Sequence, residues 1–161
     1  MKSGHAIVDR HRGRNKMGTD KIKLAKEGIE AFSSGDWERF KAPLSSDATY
    51  EELATQRKVQ GPDQIVEASK GWKEAFPDAK GTITKVTEGA DTVVLEITWQ
   101  GTHTGDLISS MGAIRPSQKR VNLEAVQVVR FKGDKIVETR HFFDLMTLLA
   151  QIGALPVPAT A

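Results

Sequence analysis

The chain has 161 residues, with 23 Lys and Arg against 21 Asp and Glu, so its formal net charge is +2. This length indicates one domain that can bury a core of its own. The absence of cysteine excludes disulfides, thiolate metal sites and cysteine nucleophiles. No apolar segment has the length of a signal-peptide core or a membrane span, so we expect a cytoplasmic protein without a membrane partner.

The first 16 residues differ from the rest in charge. They contain five basic residues and one acidic residue and show no hydrophobic period, which is typical of a flexible basic arm. The remainder has 18 basic and 20 acidic side chains. We therefore expect a single domain over residues 17–155, a flexible tail over 156–161 and no nucleic-acid partner. Nucleic-acid binding through the arm would instead give a salt-dependent affinity that deletion of residues 1–16 abolishes.

Helical periodicity and capping residues define four helices. The first begins at Thr19 or Asp20 and ends at Ser33-Ser34-Gly35. The second begins at Asp36, the third follows Gly61-Pro62-Asp63 and ends at Pro77-Asp78, and an apolar last helix runs from Asp144 to Ile152.

Alternating apolar and polar residues predict strands over residues 48–53, 57–60, 82–88, 93–103, 121–131 and 135–143. A polar loop joins the fourth strand to the fifth, and Gly133-Asp134 suits a two-residue hairpin turn. Helices followed by long antiparallel strands indicate an α+β protein, in which a curved sheet carries helices on one face.

The hairpin turn also predicts which side chains share a face. If Lys132 pairs with Lys135, one face of the last two strands is apolar except for a small polar set. That set is Gln127, Glu138, Arg140 and Asp144. His141 falls on the opposite face, although a one-residue slip or a bulge would exchange some of these assignments.

Two residues in this region each have two interpretations. A carboxylate such as Asp144 among apolar side chains would have a raised pKa and act as a base, or Asp144 simply caps the last helix. His103 continues the apolar face of the neighbouring strand, as a catalytic residue or as a hydrogen-bonded core residue. Arg140 either pairs with Glu138 or reaches Asp144 and weakens it as a base.

Five segments together resemble the SnoaL-like polyketide cyclase family of the ketosteroid-isomerase-like superfamily, over about residues 19–155. They are Ala75-Phe76-Pro77-Asp78, Gly101-Thr102-His103-Thr104-Gly105, Arg115-Pro116-Ser117-Gln118-Lys119, the hairpin over 130–138 and the segment over 144–153. The resemblance implies a cone-shaped α+β barrel. It also implies that Asp144 is the general acid/base, that an enolate closes a ring, and that no metal or organic cofactor takes part.

The first hypothesis is therefore a small cofactor-independent enzyme acting on a hydrophobic carbonyl compound. Gln127 or His103 would stabilise the enolate oxygen beside Asp144. The candidate substrate-binding residues are Tyr50, Trp72, Trp99, Arg140 and Phe142. The alternative is a non-catalytic protein that binds a small hydrophobic ligand on the same fold.

The other face of the predicted sheet is also apolar. It carries Val126, Val128, Val137 and Phe143, and no remaining segment is available to cover it. We therefore expect this face to be buried in a homodimer, as the family resemblance also implies.

Overall fold

The computed structural model describes residues 12–110 and 112–155, with side chains from residue 21 onward. The helices are α1 (Arg12–Ser34), α2 (Trp37–Lys41), α3 (Pro62–Ala75) and α4 (Leu145–Ile152). The strands are β1 (Leu44–Glu52), β2 (Arg57–Gln60), β3 (Lys80–Glu88), β4 (Thr92–Thr102), β5 (Leu107–Ser109), β6 (Gly112–Ile114), β7 (Arg120–Lys132) and β8 (Lys135–Phe143). The predicted tail over 156–161 and the first 11 residues of the predicted arm lie outside the described residues.

The two largest differences from the sequence-based prediction concern the start of α1 and the loop after β4. Helix α1 begins at Arg12 rather than at Thr19, so residues 12–16 are helical although we assigned them to the arm. The polar loop after β4 contains the short hairpin formed by β5 and β6. Both differences arise in polar segments, where hydrophobic periodicity gives no signal.

Six strands form one sheet in the order β2-β1-β8-β7-β4-β3. Strands β1 and β8 are parallel and every other neighbouring pair is antiparallel. This arrangement confirms the predicted α+β class with a mostly antiparallel sheet. We call the sheet face that contacts α1 and α3 the inner face, and the opposite one the outer face.

The core lies between the inner face and the helices. Val93, Leu95 and Ile97 of β4 are fully buried, and they cluster with Ala25 and Ile29 of α1. The alternating pattern along β4 therefore predicted its inward residues correctly, because side chains alternate between the two faces of a strand. Among the described residues, no helix is long and apolar enough to cross a membrane.

A β-bulge changes the predicted register of the last hairpin. Lys132 pairs with Lys135 and Phe131 with Ile136 as predicted, but Arg130 pairs with Glu138, so the register shifts at this point. Beyond the shift Gln127 lies opposite His141. A bulge adds one residue to one strand and so exchanges the faces of all residues beyond it. The predicted faces of β8 from Glu138 onward are therefore wrong.

Candidate functional site

A cavity of about 140 Å³ lies between the inner face and the helices. Its walls come from all four helices and from the strands β1, β4, β7 and β8. Aromatic rings form much of the lining: Phe32, Phe40, Tyr50, Trp72, Phe76, Trp99 and Phe143. Among the described residues, the lining contains no Asp, Glu, Lys or Arg. The cavity is therefore apolar, with a few uncharged polar groups.

Three polar side chains in the cavity wall, those of His141, Trp99 and Gln127, can form further hydrogen bonds. His141 Nε2 and Trp99 Nε1 are buried and have no hydrogen-bond partner among the described residues. The Gln127 amide lines the same cavity beside His141, its cross-strand neighbour. Buried polar atoms are nearly always hydrogen-bonded, so unpartnered ones in a cavity wall need an explanation.

Trp99 reaches the cavity because its cross-strand neighbour is a glycine. Gly81 pairs with Trp99 across β3 and β4. A Cβ atom at position 81 would lie 2.7 Å from the indole ring and 2.7 Å from the Ile29 side chain. The glycine thus provides the space that the ring occupies.

Behind the cavity wall lies a buried carboxylate, that of Glu52, which is 0% exposed. It accepts hydrogen bonds from Tyr50 Oη at 3.0 Å, Thr55 Oγ1 at 2.5 Å and Trp72 Nε1 at 2.7 Å. A guanidinium nitrogen of Arg57 lies 3.2 Å from both carboxylate oxygens. These partners compensate the cost of burying the charge.

The network reaches the cavity through Tyr50 and His141. Tyr50 Oη lies 2.8 Å from His141 Nδ1, so the imidazole is held at one nitrogen while its Nε2 remains unpartnered. Burial lowers the pKa of His141 to about 4, against a smaller opposing effect of Glu52. Burial also raises the pKa of Tyr50 well above its usual value, and Glu52 adds to this shift. Near neutral pH both side chains are therefore uncharged.

The cavity brings together four residues that we predicted as site residues. Gln127, Tyr50, Trp72 and Trp99 all line it. Trp72 contacts Phe143 edge to face at 5.8 Å, and Trp99 lies edge-on to His141 at 6.4 Å. Their roles toward a ligand stay predictions.

Asp144 is not part of this lining. It is the N-cap of α4, where its carboxylate accepts from the Met146 backbone N–H at 2.9 Å and from Thr147 Oγ1 at 2.7 Å. Hydrogen bonds from Thr147 and Met146 lower the pKa of this carboxyl, outweighing a small effect of burial. The structure therefore has the capping interaction, while the raised pKa expected for a base among apolar side chains is absent.

Arg140 and Phe142 also lie away from the cavity, on the outer face. Arg140 Nε donates to Glu51 Oε2 at 3.0 Å, and its guanidinium lies 5.1 Å from the centre of the Phe142 ring. Both predicted partners of Arg140 were wrong, because Glu138 pairs with Arg130 and Asp144 caps α4. The bulge explains why Arg140 and Phe142 lie on the outer face, because it exchanges the faces of the β8 residues that follow it.

His103 lies just beyond the end of β4, packed behind the cavity wall. Its ring stacks on Phe76 at 5.2 Å, and its Nδ1 accepts from the Ser117 backbone N–H at 3.2 Å. The side chain is fully buried, and desolvation lowers its pKa. Of the two interpretations of His103, a catalytic residue or a hydrogen-bonded core residue, this geometry favours the second.

Sequence reasoning missed His141 and Glu52 as members of the site. His141 was placed on the wrong face because nothing in the sequence of the hairpin indicates the bulge. For Glu52 a signal existed: Ala48, Tyr50 and Glu52 alternate along β1 and all three are buried. A carboxylate on the same face as an inward tyrosine is a candidate for a buried network.

A metal centre needs several ligating side chains close together. Across residues 21–110 and 112–155, no group of three or more His, Asp or Glu side chains could hold a metal ion. The polar groups that the cavity lining offers are imidazole, amide, indole, phenol and aliphatic hydroxyl groups.

The sheet and the helices have the ketosteroid isomerase-like α+β fold, as structural comparison shows. A protein with this fold from Catenulispora acidiphila aligns with a TM-score of 0.70 at 20% identity, covering 86% of this chain and 97% of that one. The sequence model of the SnoaL-like polyketide cyclase family matches residues 23–152. The chain belongs to that family, and the resemblance stated from its motifs is confirmed.

Other solved structures extend the comparison. A SnoaL-like candidate polyketide cyclase from Jannaschia sp. CCS1 aligns with a TM-score of 0.78 at 17% identity, covering 96% of this chain and 100% of that one. AclR from Streptomyces galilaeus, described as a candidate hydroxylase, aligns with a TM-score of 0.71 at 28% identity, covering 89% and 91%. No curated protein matches the chain in sequence.

Proposed function

We propose that this protein is an enzyme that removes a proton next to the carbonyl group of a small, uncharged, hydrophobic compound, and that His141 is the base. The observation that carries the proposal is the unpartnered Nε2 atom of His141 in the wall of an apolar cavity. At neutral pH this imidazole is unprotonated and can accept a proton. Its low pKa makes it a weak base, so the reaction also depends on stabilisation of the enolate oxygen. Membership of the polyketide cyclase family supports a reaction that begins with an enolate.

Gln127 supports the same chemistry from the neighbouring strand. Its side chain lies opposite His141 on the inner face and forms no hydrogen bond with the described residues. An amide N–H in an apolar site stabilises the negative oxygen that develops as a proton leaves the adjacent carbon. Trp99 Nε1 is a second unpartnered donor in the same wall. These residues supply a base and oxyanion donors without a metal or organic cofactor.

The lining also restricts the substrate. No charged side chain among the described residues lines the cavity, and an unpaired ion in such surroundings costs several kcal/mol or more. A volume of 140 Å³ resembles the roughly 150 Å³ of apolar cavities that hold benzene. We therefore propose a ketone or ester that places one ring, or a chain of similar size, in the cavity. In a polyketide-like substrate the enolate would then attack a second carbonyl and close a ring.

The test compares His141, the proposed base, with Asp144, the base predicted from the sequence. Cyclohexanone, an uncharged one-ring ketone, is incubated with the protein in D2O, and exchange of its α-hydrogens is followed by NMR. We expect His141→Gln to slow exchange by roughly 100-fold or more, the size of a general-base effect. Asp144→Asn should leave the rate within about twofold, because Asn still caps a helix.

Each other outcome has a defined meaning. Loss of exchange in Asp144→Asn, with His141→Gln active, would return the role of base to Asp144. Saturable binding of cyclohexanone without exchange in the unmodified protein would favour the alternative, a protein that only binds a hydrophobic ligand. The apolar lining and the position of Asp144 outside it are the observations that favour this alternative.

We also propose that two copies of the chain associate through the outer face. Val126 and Phe142 are cross-strand neighbours there and line a shallow groove with Glu96, Glu124 and Asp144. Arg140 lies beside Phe142 and pairs with Glu51, and Arg130 lies further along the same face and pairs with Glu138. A two-fold axis through this face would bury the apolar Val126, Val128 and Phe142 side chains of one copy against those of the other.

A further inference from the structure

The buried network behind the cavity contains a carboxylate whose protonation state is determined by its partners. Trp72 Nε1 and the Arg57 guanidinium can only donate hydrogen bonds, and both point at Glu52. The Thr55 hydroxyl donates to the same carboxylate at 2.5 Å. The Tyr50 hydroxyl could accept an O–H from a protonated Glu52, but the Arg57 cation 3.2 Å away favours the charged carboxylate. Glu52 is therefore a carboxylate that acts only as an acceptor.

Tyr50 has one hydroxyl proton and two polar neighbours that could receive it. Glu52 Oε2 lies 3.0 Å from its oxygen and His141 Nδ1 lies 2.8 Å from it. A hydrogen bond to a charged carboxylate is roughly twice as strong as one between neutral groups. If Tyr50 donated to His141 instead, its oxygen would face the Glu52 carboxylate with no proton between them. The hydroxyl proton therefore points at Glu52.

The orientation of Tyr50 then determines the proton position on His141. With its proton directed at Glu52, the Tyr50 oxygen presents only lone pairs to Nδ1, so Nδ1 must carry the imidazole proton. Nε2 is then the bare nitrogen, and it is the one that faces the cavity without a partner. Which nitrogen is protonated in an imidazole is set by the hydrogen bond of the other one.

We propose that Glu52 and Tyr50 are positioning residues that act through each other to hold His141 in the tautomer with a proton on Nδ1 and a free electron pair on Nε2. This proposal rests on the proposed function only for its consequence, because the tautomer itself exists whether or not the protein is an enzyme. When Nε2 accepts a proton, the proton on Nδ1 stays in place. The Glu52 charge, relayed by the Tyr50 dipole, offsets the charge of the imidazolium.

His103 provides a control within the same molecule. Its Nδ1 accepts from the Ser117 backbone N–H, so its proton must be on Nε2. His103 and His141 are both buried, and both have an Nε2 atom with no partner among the described residues. Their environments nevertheless predict opposite tautomers. A spectrum that reports both side chains therefore contains its own reference.

The test is long-range proton–nitrogen NMR of the histidine side chains in the full-length protein labelled with 15N at pH 7. We expect the protonated-nitrogen signature at Nδ1 for His141 and at Nε2 for His103. Tyr50→Phe removes the acceptor for the His141 Nδ1–H, so the Nε2–H tautomer of His141 should become substantially populated while His103 is unchanged. Glu52→Gln, which leaves Tyr50 in place, should shift His141 in the same direction by a smaller amount.

Two results would overturn the proposal: an Nε2 proton on His141 in the unmodified protein, or an unchanged His141 tautomer in both variants. If Tyr50→Phe does not fold, Glu52→Gln and the unmodified protein still decide the question. Cyclohexanone exchange serves as a separate readout, in which Tyr50→Phe should slow the reaction about 10- to 100-fold, the range for residues that orient a functional ligand. No exchange in the unmodified protein would count against the proposed function and leave the tautomer measurement valid.

Discussion

Neighbouring residues of β8 lie in different environments, because they alternate between the inner and the outer face of the sheet. His141 and Phe143 point at the apolar cavity, whereas Arg140 and Phe142 between them lie on the outer face. On the inner face burial dominates, and the pKa of His141 falls because its charged form is desolvated. At the end of the strand the pKa of Asp144 falls for a different reason, namely hydrogen bonds to its carboxylate. On β8 the desolvated candidate base is therefore His141, on the inner face.

The largest expected effect is a loss of stability when a buried residue on the inner face of β4 is truncated. Ile97 is fully buried on the inner face of β4, and its neighbour Glu96 faces the outer groove. We expect Ile97→Ala to lower the free energy of unfolding by roughly 2–5 kcal/mol, since it removes buried methyl groups and leaves a cavity. Glu96→Ala should change it by less than about 0.5 kcal/mol. Urea unfolding of both variants measures the difference, and equal losses would contradict the assignment of faces.

The next effect concerns pH and His141. An unfolded histidine binds a proton near pH 6.5, but the folded one does so near pH 4. Between these values the unfolded chain binds more protons, so the free energy of unfolding falls as the pH falls from about 6.5 to 4. The loss is at most about 3 kcal/mol, and it levels off below the folded pKa.

The matched control for this pH effect is His141→Gln, which cannot titrate. The stability advantage of the unmodified protein over this variant should shrink between pH 7 and pH 4, as measured by urea unfolding at several pH values. Two unfolding free energies that change in parallel with pH would show that His141 titrates normally and would remove the case for a buried neutral imidazole.

The smallest effect on the folded monomer is expected on the outer face. Phe142→Glu places a charge in the groove beside Val126, so it should convert a dimer to a monomer through the loss of apolar contact and through charge repulsion. Because the outer face is solvated in a single copy, we expect a change in monomer stability below about 1 kcal/mol. Light scattering gives the mass, with Lys23→Glu at an exposed position of α1, on the opposite side of the sheet, as the control. A monomeric unmodified protein would contradict the proposed dimer.

The predicted site residues fall into two groups: those whose face was predicted correctly and those that follow the bulge on β8. Trp72 lies on a helix and Trp99 on the long strand β4, where periodicity shows the buried side directly. Gln127 lies on β7, and the extra residue of the bulge is on β8, so the turn gave the face of Gln127 correctly. Arg140, Phe142 and Asp144 follow the bulge, and their predicted faces were wrong. A single extra residue in a strand leaves no periodic signal over so short a segment.

The sequence by itself determined the α+β class, the order of helices and strands, the family and the apolar inner residues of β4. These depend on local periodicity, turn residues and the spacing of motifs, all of which are written along the chain. Only the tertiary structure decided that His141 faces the cavity, that Glu52 is buried beneath it and that Asp144 caps α4. These depend on a register shift and on contacts between residues as distant as Tyr50 and His141, which no local pattern encodes.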